Sequence, residues 1–445
     1  MSLNRSLFIL AHQIGDRNFY PVYQNLRQSQ WKPYYDQKEL QEKYLRNMID
    51  FAYETVPYYH KLFNQLKLKP SDIKTVEDLE KLPILNKEII KNNWEDFKPV
   101  NLDSMKYSVF PTGGSTGAPF RFRLLKYDRF LSGAMLYRGW GYADYELGDR
   151  MVLLGGASLD VGIDSFIVTE AHQISRNIRK LSSFDMGIED MRRYVKVINS
   201  FKPKFIRGYA SSINFFSSFI DQEKIEINLP RAIFTTAEKL MPHMRKNIEN
   251  VVGREVYDTY GMNDGGISAF ECPEHNGLHI DTERSIMEVV DSNNLQLENG
   301  VGSILATSLH NYAMPFIRYD TGDIGHIIND TCGCGRGSKL LKEVIGRQQE
   351  MLKTPEGKFV HGEFFVYIFK KIDGVTEFQV IQKRLEHIII NMVLEKNFDE
   401  KQLDTIREIV KRKSEGWEVE FRYVDKIERT NYAGKYKFVV SELQL

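Results

Sequence analysis

The stretch Thr112-Gly113-Gly114-Ser115-Thr116-Gly117-Ala118-Pro119 puts three hydroxyls and three glycines into eight residues. Glycines let the backbone approach a ligand closely, and successive N–H groups with hydroxyls can surround phosphate oxygens. No Gly-Lys-Ser/Thr follows, so this is not a Walker loop. Taken alone, the stretch also reads as a polar β-hairpin turn. A second segment, Arg318-Tyr319-Asp320-Thr321-Gly322-Asp323, ends in a carboxylate suited to accepting hydrogen bonds from ribose hydroxyls. By itself Thr-Gly-Asp is an ordinary turn. In the third, Tyr257 to Gly266, an aromatic ring can stack on adenine and a carboxylate can hold Mg²⁺ against phosphate. Gly434-Lys435 supplies an ammonium that could meet developing phosphate charge, although a lone exposed lysine is usually only solvated.

The three cysteines form a separate constellation: Cys272 in Glu-Cys-Pro-Glu-His-Asn-Gly-Leu-His, then Cys332-Gly-Cys334. Two thiolates one residue apart, a distant Cys and a His could close a tetrahedral Zn²⁺ shell. His275 and His279 compete for the fourth place. The bland alternative is three unremarkable thiols and two surface histidines.

Elements must position these groups. Residues 38–54 carry Leu40, Tyr44, Leu45, Met48 and Ala52 at helical spacing, and Pro57 ends the pattern. Between about Phe110 and Ser308, strands are expected at 151–156, 205–209, 232–238 and 255–261, with a helix at 188–199. Such alternation gives an α/β sheet whose loops at the strand ends can build a site. After residue 278 the texture is more β-like. Beyond Gly346 come strands near 377–394, a helix at 398–414 and a strand at 418–424, which puts the domain boundary near 346–350. The chain has 445 residues, 42% of them hydrophobic, enough to bury a large domain and a smaller one. Lys+Arg and Asp+Glu both number 60, which argues against nucleic acid as a partner. No apolar run reaches the roughly 18 residues of a membrane helix, and Leu7 to Ala11 is too short for a signal-peptide core of roughly 7–15. A cytoplasmic location is expected.

Together and in order, these segments resemble the adenylate-forming superfamily, and within it the phenylacetate–coenzyme A ligase family with its relatives in capsule biosynthesis. The resemblance runs from AYETVPYYHKLF through LPILNKEIIKNN, FPTGGSTGAPF, IRGYAS, FTTAEKL, YGMNDGG, RYDTGDIG and GRQQEML to GKYKFVVSEL. It implies a large N-terminal domain (1–345) of layered mixed sheets and helices, a hinge at 346–350, and a small mobile α+β lid domain (351–445). It also implies ATP-dependent activation of a carboxylic acid as its acyl-adenylate, then acyl transfer to coenzyme A. Ser115, Thr116 and Gly117 would lie over the ATP phosphates. Glu238 and Tyr260-Gly261 would flank the adenine. Asp264 would stand at the Mg²⁺-associated position, Asp323 at the ribose, Arg347 at the nucleotide near the hinge, and Lys435 at the phosphate during adenylation. His279 would complete a structural Zn²⁺ site with Cys272, Cys332 and Cys334.

The chain departs from the family pattern in three places. Asp264 is one methylene shorter than the usual Glu, Gln349 stands at the hinge, and one extra residue separates Thr430 from Gly434-Lys435. An amine or hydroxyl acceptor, as in polysaccharide biosynthesis, and a nucleotide-binding protein without turnover are the alternative readings. A homodimer is compatible with all of them. Segments 131–145 and 205–212 would wall the acid pocket, with Tyr137, Trp140, Tyr142 and Tyr209 as candidates.

Overall fold

A computed structural model describes residues 3–111, 121–155, 166–183, 186–347, 351–356, 359–361, 363–369, 372–395, 398–428 and 439–443. Helices α1 (Leu3–Gly15) and α2 (Phe19–Ser29) precede α3 (Tyr34–Thr55), which contains the expected 38–54 pattern. Leu45, Met48, Ile49 and Ala52 form its buried stripe. Pro57 ends that helix as expected and also opens α4 (Pro57–Leu66), at a position where its missing N–H has no helical partner to lose. In α5 (Lys87–Asn92) the Asn86 side chain caps the first turn, accepting from the Ile89 N–H at 2.9 Å. Strands β1 (Tyr107–Pro111) and β2 (Arg121–Leu125) pair antiparallel. The hydroxyl- and glycine-rich segment joins them, and Ser115, Thr116 and Gly117 lie outside the described residues.

After α6 (Lys126–Trp140), strands and helices alternate: β3 (Met151–Gly155), α7 (Phe166–Arg176), β4 (Ile178–Ser182), α8 (Ile188–Phe201), β5 (Phe205–Tyr209), α9 (Ala210–Gln222), β6 (Ala232–Thr236), α10 (Pro242–Val252) and β7 (Val256–Gly261). The four strands and the helix expected here are all present, within a few residues at their ends. Shorter connections then lead through β8 (Ser268–Glu271), β9 (Leu278–Ile280), β10 (Ser285–Val290), β11 (Gly300–Ser308), β12 (Tyr319–Ile328) and β13 (Leu340–Arg347). These strands form one sheet in the order β10-β11-β12-β13-β9-β8-β7-β6-β5-β3-β4. Strands β3 to β7 are mutually parallel, and β7 pairs antiparallel with β8, so the sheet changes character at β7.

Parallel strands need crossovers and are covered on both faces. Phe205, Ala232, Phe234 and Tyr257 pack one face against α1, α2 and α6, whereas Val152, Ile206, Ile233 and Val256 pack the other against α8, α9 and α10. At Gly208 a Cβ would stand 2.3 Å from the Leu154 carbonyl, so only glycine fits between β5 and β3. The antiparallel half packs against α3 and α4.

The C-terminal part has β14 (Met351–Lys353) paired with β15 (Phe359–His361), then α11 (Glu363–Phe369), β16 (Val375–Arg384), β17 (His387–Leu394), α12 (Gln402–Lys413), β18 (Glu418–Tyr423) and β19 (Val439–Ser441). Its four-stranded sheet runs β18-β17-β16-β19 and shares a core with α11 and α12. Gln349 and Lys435 fall outside the described residues. Among the described residues, no helix is long and apolar enough to cross a membrane.

Candidate active site

The ends of β6 and β7 turn sharply where the sheet changes character. Ala237, next after β6, takes φ +65°, a conformation a Cβ disfavours and one that clusters at functional sites. Beyond it, Glu238 Oε2 accepts from the Ser211 N–H at 2.9 Å, in the first turn of α9. Lys239 Nζ donates to the Ile345 carbonyl at 3.1 Å and pairs with Glu343 at 3.3 Å, joining this turn to β13.

Tyr260, near the end of β7, donates its hydroxyl to Asp323 Oδ2 at 2.8 Å. Burial, with the Asp323 charge beside it, holds this phenol well above its ordinary range, so it remains a donor. Four residues on, Asp264 Oδ2 accepts from the Tyr319 hydroxyl at 2.8 Å. The connection from β7 to β8 is pinned just past Asp264 by Arg284, which donates to the Gly266 carbonyl at 3.1 Å and is itself held by buried Asp128.

Thr321-Gly322-Asp323 is a strand bulge, not the isolated turn that the tripeptide alone suggests. Leu305 pairs with Asp320 and Ser303 with Ile324, so residues 321–323 lie opposite the single Ile304. Gly322 sits at φ +75°, which glycine adopts freely. The Thr321 hydroxyl donates to the Ile304 carbonyl at 2.8 Å and accepts from the Asp323 N–H at 3.1 Å. Arg318, at the start of the motif, is fully engaged in structure: it reaches Glu288 at 3.1 Å and the Leu82 and Asn294 carbonyls at 3.0 and 2.8 Å. Asp323 pairs with Arg347 across β12 and β13, which puts these two backbone positions side by side.

A cavity of about 360 Å³ opens at these strand ends and runs between α6 and the sheet. Tyr260, Gly261, Thr236 and Ala237 line one end, with Tyr137 and Trp140 along the wall. Tyr142 and Tyr209, both expected as pocket walls, do not line it. Tyr142 lies just past the end of α6 and packs with Phe270, Cys272 and Cys332, with the Arg336 guanidinium 3.8 Å over its ring. Tyr209, last in β5, sits one residue on from Gly208, two past the cavity-facing Arg207, and pairs with Thr236. The basic residues of this wall, Arg176, Lys180 and Arg207, were not singled out in the sequence. The alternation of Phe-Ile-Arg-Gly-Tyr already puts Arg207 on the face of Phe205.

The cysteines converge. Cys272 Sγ lies 3.5 Å from Cys332 Sγ, and Cys334 Sγ lies 3.2 Å from His279 Nε2. All four ligand atoms are within 4.8 Å of one another. Ligand atoms on one tetrahedral zinc stand roughly 3.5–3.8 Å apart, so three sulfurs and a nitrogen at this spacing suit such an ion. The other His279 nitrogen meets Ser338 Oγ at 3.1 Å, which orients the ring. Burial, with Arg336 and Arg138 nearby, pushes His279 down to about 4 and keeps its imidazole neutral. His275 turns away, pairing with Glu271 at 3.0 Å.

Residues 352–442 match the CapK C-terminal domain family. The chain is 23% identical to Protein CapK of Staphylococcus aureus over 98% of this chain and 95% of that one. It is 26% identical to a phenylacetate–coenzyme A ligase of Thermus thermophilus, over 71% of each chain. In fold it is similar to 2-hydroxyisobutyryl-CoA ligase in the postadenylation state, with a TM-score of 0.67, 18% identity, and 93% and 91% of the two chains covered. An open conformation of that ligase with 2-HIB-AMP and CoA gives a TM-score of 0.65 at 19% identity over 92% of each chain. In sequence the chain is thus similar to CapK and to the phenylacetate–coenzyme A ligases, and it has the fold of a CoA ligase.

Proposed function

We propose that this chain activates a carboxylic acid with ATP as an acyl-adenylate, releasing pyrophosphate, and then passes the acyl group to coenzyme A. The observation that carries this reading is the Tyr260–Asp323 hydrogen bond at the mouth of the cavity. It joins the ring suited to adenine to the carboxylate suited to ribose, beside space for a small acid. A carboxylate is a poor electrophile with a poor leaving group. Attack of its oxygen on the ATP α-phosphorus breaks the bond to pyrophosphate and yields a mixed anhydride. The thiol then attacks the acyl carbon and AMP leaves.

The protein has to align these partners and neutralise phosphate charge. Glu238 and Tyr260-Gly261 flank the adenine in this reading, Asp323 takes the ribose hydroxyls, and Arg347 contacts the nucleotide. Ser115, Thr116 and Gly117 serve the phosphates, and Lys435 serves the developing charge. Asp264, buried and aimed by Tyr319, would hold Mg²⁺, which when bound would supply charge to neutralise the triphosphate. Cys272, His279, Cys332 and Cys334 would hold zinc in a closed shell with no open position, a structural role.

The acceptor has a second reading, an amine or hydroxyl. ATP–pyrophosphate exchange across aryl, fatty, amino and uronic acids tests the first half-reaction. Product mass spectrometry with coenzyme A or amines then separates the acceptors. No exchange with any acid, alongside tight ATP binding, would mark a nucleotide-binding protein without turnover.

A further inference from the structure

The turn after β6 carries a lysine to which the proposed chemistry gives no task. Lys239 Nζ donates to the Ile345 carbonyl at 3.1 Å and stands 3.3 Å from Glu343 Oε2. Ile345 has a particular place in β13. In the β12–β13 ladder Gly346 pairs with Ile324 and Val344 with Gly325, so Ile345 is the extra residue of a bulge. A bulge interrupts the ladder locally, and the backbone groups of its extra residue need partners elsewhere. The pairing of β13 with β9 covers Leu340 and Leu341, well before the bulge. The Ile345 carbonyl is met instead by a side chain from the end of another strand.

This contact closes a ring of positions around the expected nucleotide site. Glu238, adjacent to Lys239, accepts from the Ser211 N–H at 2.9 Å, and Ala237 before it holds φ +65°. Past Ile345 come Gly346 and then Arg347, whose backbone pairs with Asp323. Asp323 Oδ2 accepts from Tyr260, and the strand of Tyr260, β7, pairs with β6. The circuit thus runs from β6 through Glu238-Lys239, Ile345 to Arg347, Asp323 and Tyr260, and back to β6. Its softest stretch is the bulge followed by Gly346 at φ +142°, since glycine resists bending little. Lys239 braces that stretch. Its side chain is only 24% exposed, so its charge-assisted bond to the carbonyl is partly shielded from water. Its pairing with Glu343, which is half exposed, contributes less.

We propose that Lys239 is a positioning residue for the nucleotide: by holding the bulge at Ile345, it keeps Arg347 and the start of the hinge against the adenine turn. This rests on the acyl-adenylate reading and adds to it a residue that touches no reacting atom.

Calorimetric titration of ATP into the full chain reads the effect without requiring turnover. Lys239→Met is expected to weaken ATP binding about three- to tenfold, less than a fully buried charged contact would lose. Lys239→Arg still donates to the carbonyl and recovers most of the affinity, which guards against a folding artefact. Glu343→Gln changes the affinity by less than about twofold, because a half-exposed ion pair is worth little. Since the effect passes through Arg347, Lys239→Met adds little in an Arg347→Ala background. Amide hydrogen exchange across residues 343–347 is faster in Lys239→Met than in the wild type. Unchanged ATP affinity in Lys239→Met would overturn the proposal. So would a loss that adds in full to that of Arg347→Ala, which would make Lys239 an independent ligand of the nucleotide. An equal loss in Glu343→Gln would give the effect to the surface ion pair and overturn it too. If ATP binds but no acid supports pyrophosphate exchange, the adenylation reading fails and the same titrations still decide the role of Lys239. If ATP does not bind the wild type, both fall.

Discussion

At Asp323 the bulge fixes the main chain and Tyr260 fixes the side chain, so the carboxylate is aimed before any ligand arrives. A charged acceptor lost from ribose hydroxyls is worth about 1.5–3 kcal/mol, so Asp323→Ala is expected to weaken ATP binding about 10- to 150-fold. Tyr260→Phe keeps the ring and removes only the hydroxyl, so it should cost less than Asp323→Ala. Calorimetry with ATP checks both, and unchanged ATP affinity in Asp323→Ala would move the nucleotide elsewhere. The motif itself was readable in the sequence, but its conformation was not. Thr-Gly-Asp occurs in turns and bulges alike, and the choice lies in the register against Ser303 to Leu305, which belongs to another strand. The same limit separates Tyr137 and Trp140, which line the cavity, from Tyr142, which packs beside the cysteines.

The elements of the parallel half were legible because buried strands are short apolar runs and their helices carry a 3.6-residue stripe. Less legible was the way the antiparallel strands bring distant ligands together. Cys272 follows β8, His279 lies in β9, and Cys332 and Cys334 lie between β12 and β13. Pairing of His279 with Leu340 brings β9 against β13 and closes the cluster. A metal there would tie the strand leading from the Tyr260 turn to the segment just beyond Asp323. The purified chain is therefore expected to carry about one zinc, and a Cys332→Ser, Cys334→Ser double variant to carry much less and melt earlier. His275→Ala should retain the metal, since its imidazole faces Glu271. Elemental analysis and thermal melts check this; a metal-free wild type from zinc-replete culture would return the cysteines to ordinary packed thiols.

At the scale of the whole molecule, the two half-reactions make opposite demands on one site. Adenylation needs cationic charge at the α- and β-phosphates, whereas transfer needs a path for an acceptor to the acyl carbon. The hinge expected at 346–350 starts in the last two residues of β13 of the large sheet and ends just before β14 of the C-terminal part, and Lys435 lies in sequence between β18 and β19 of the latter. Rotation of the smaller part about that segment would let Lys435 serve the first step and leave for the second. Lys435→Ala is then expected to slow adenylate formation about 10²–10³-fold, the usual loss for one electrostatic contact in a transition state. Acyl transfer from preformed adenylate should change far less, because no pyrophosphate charge develops in that step. Single-turnover assays of each half-reaction separate the two. Equal losses in both would mean that Lys435 supports the fold or the nucleotide generally. A loss confined to transfer would reverse the assignment and place the lysine with the acceptor.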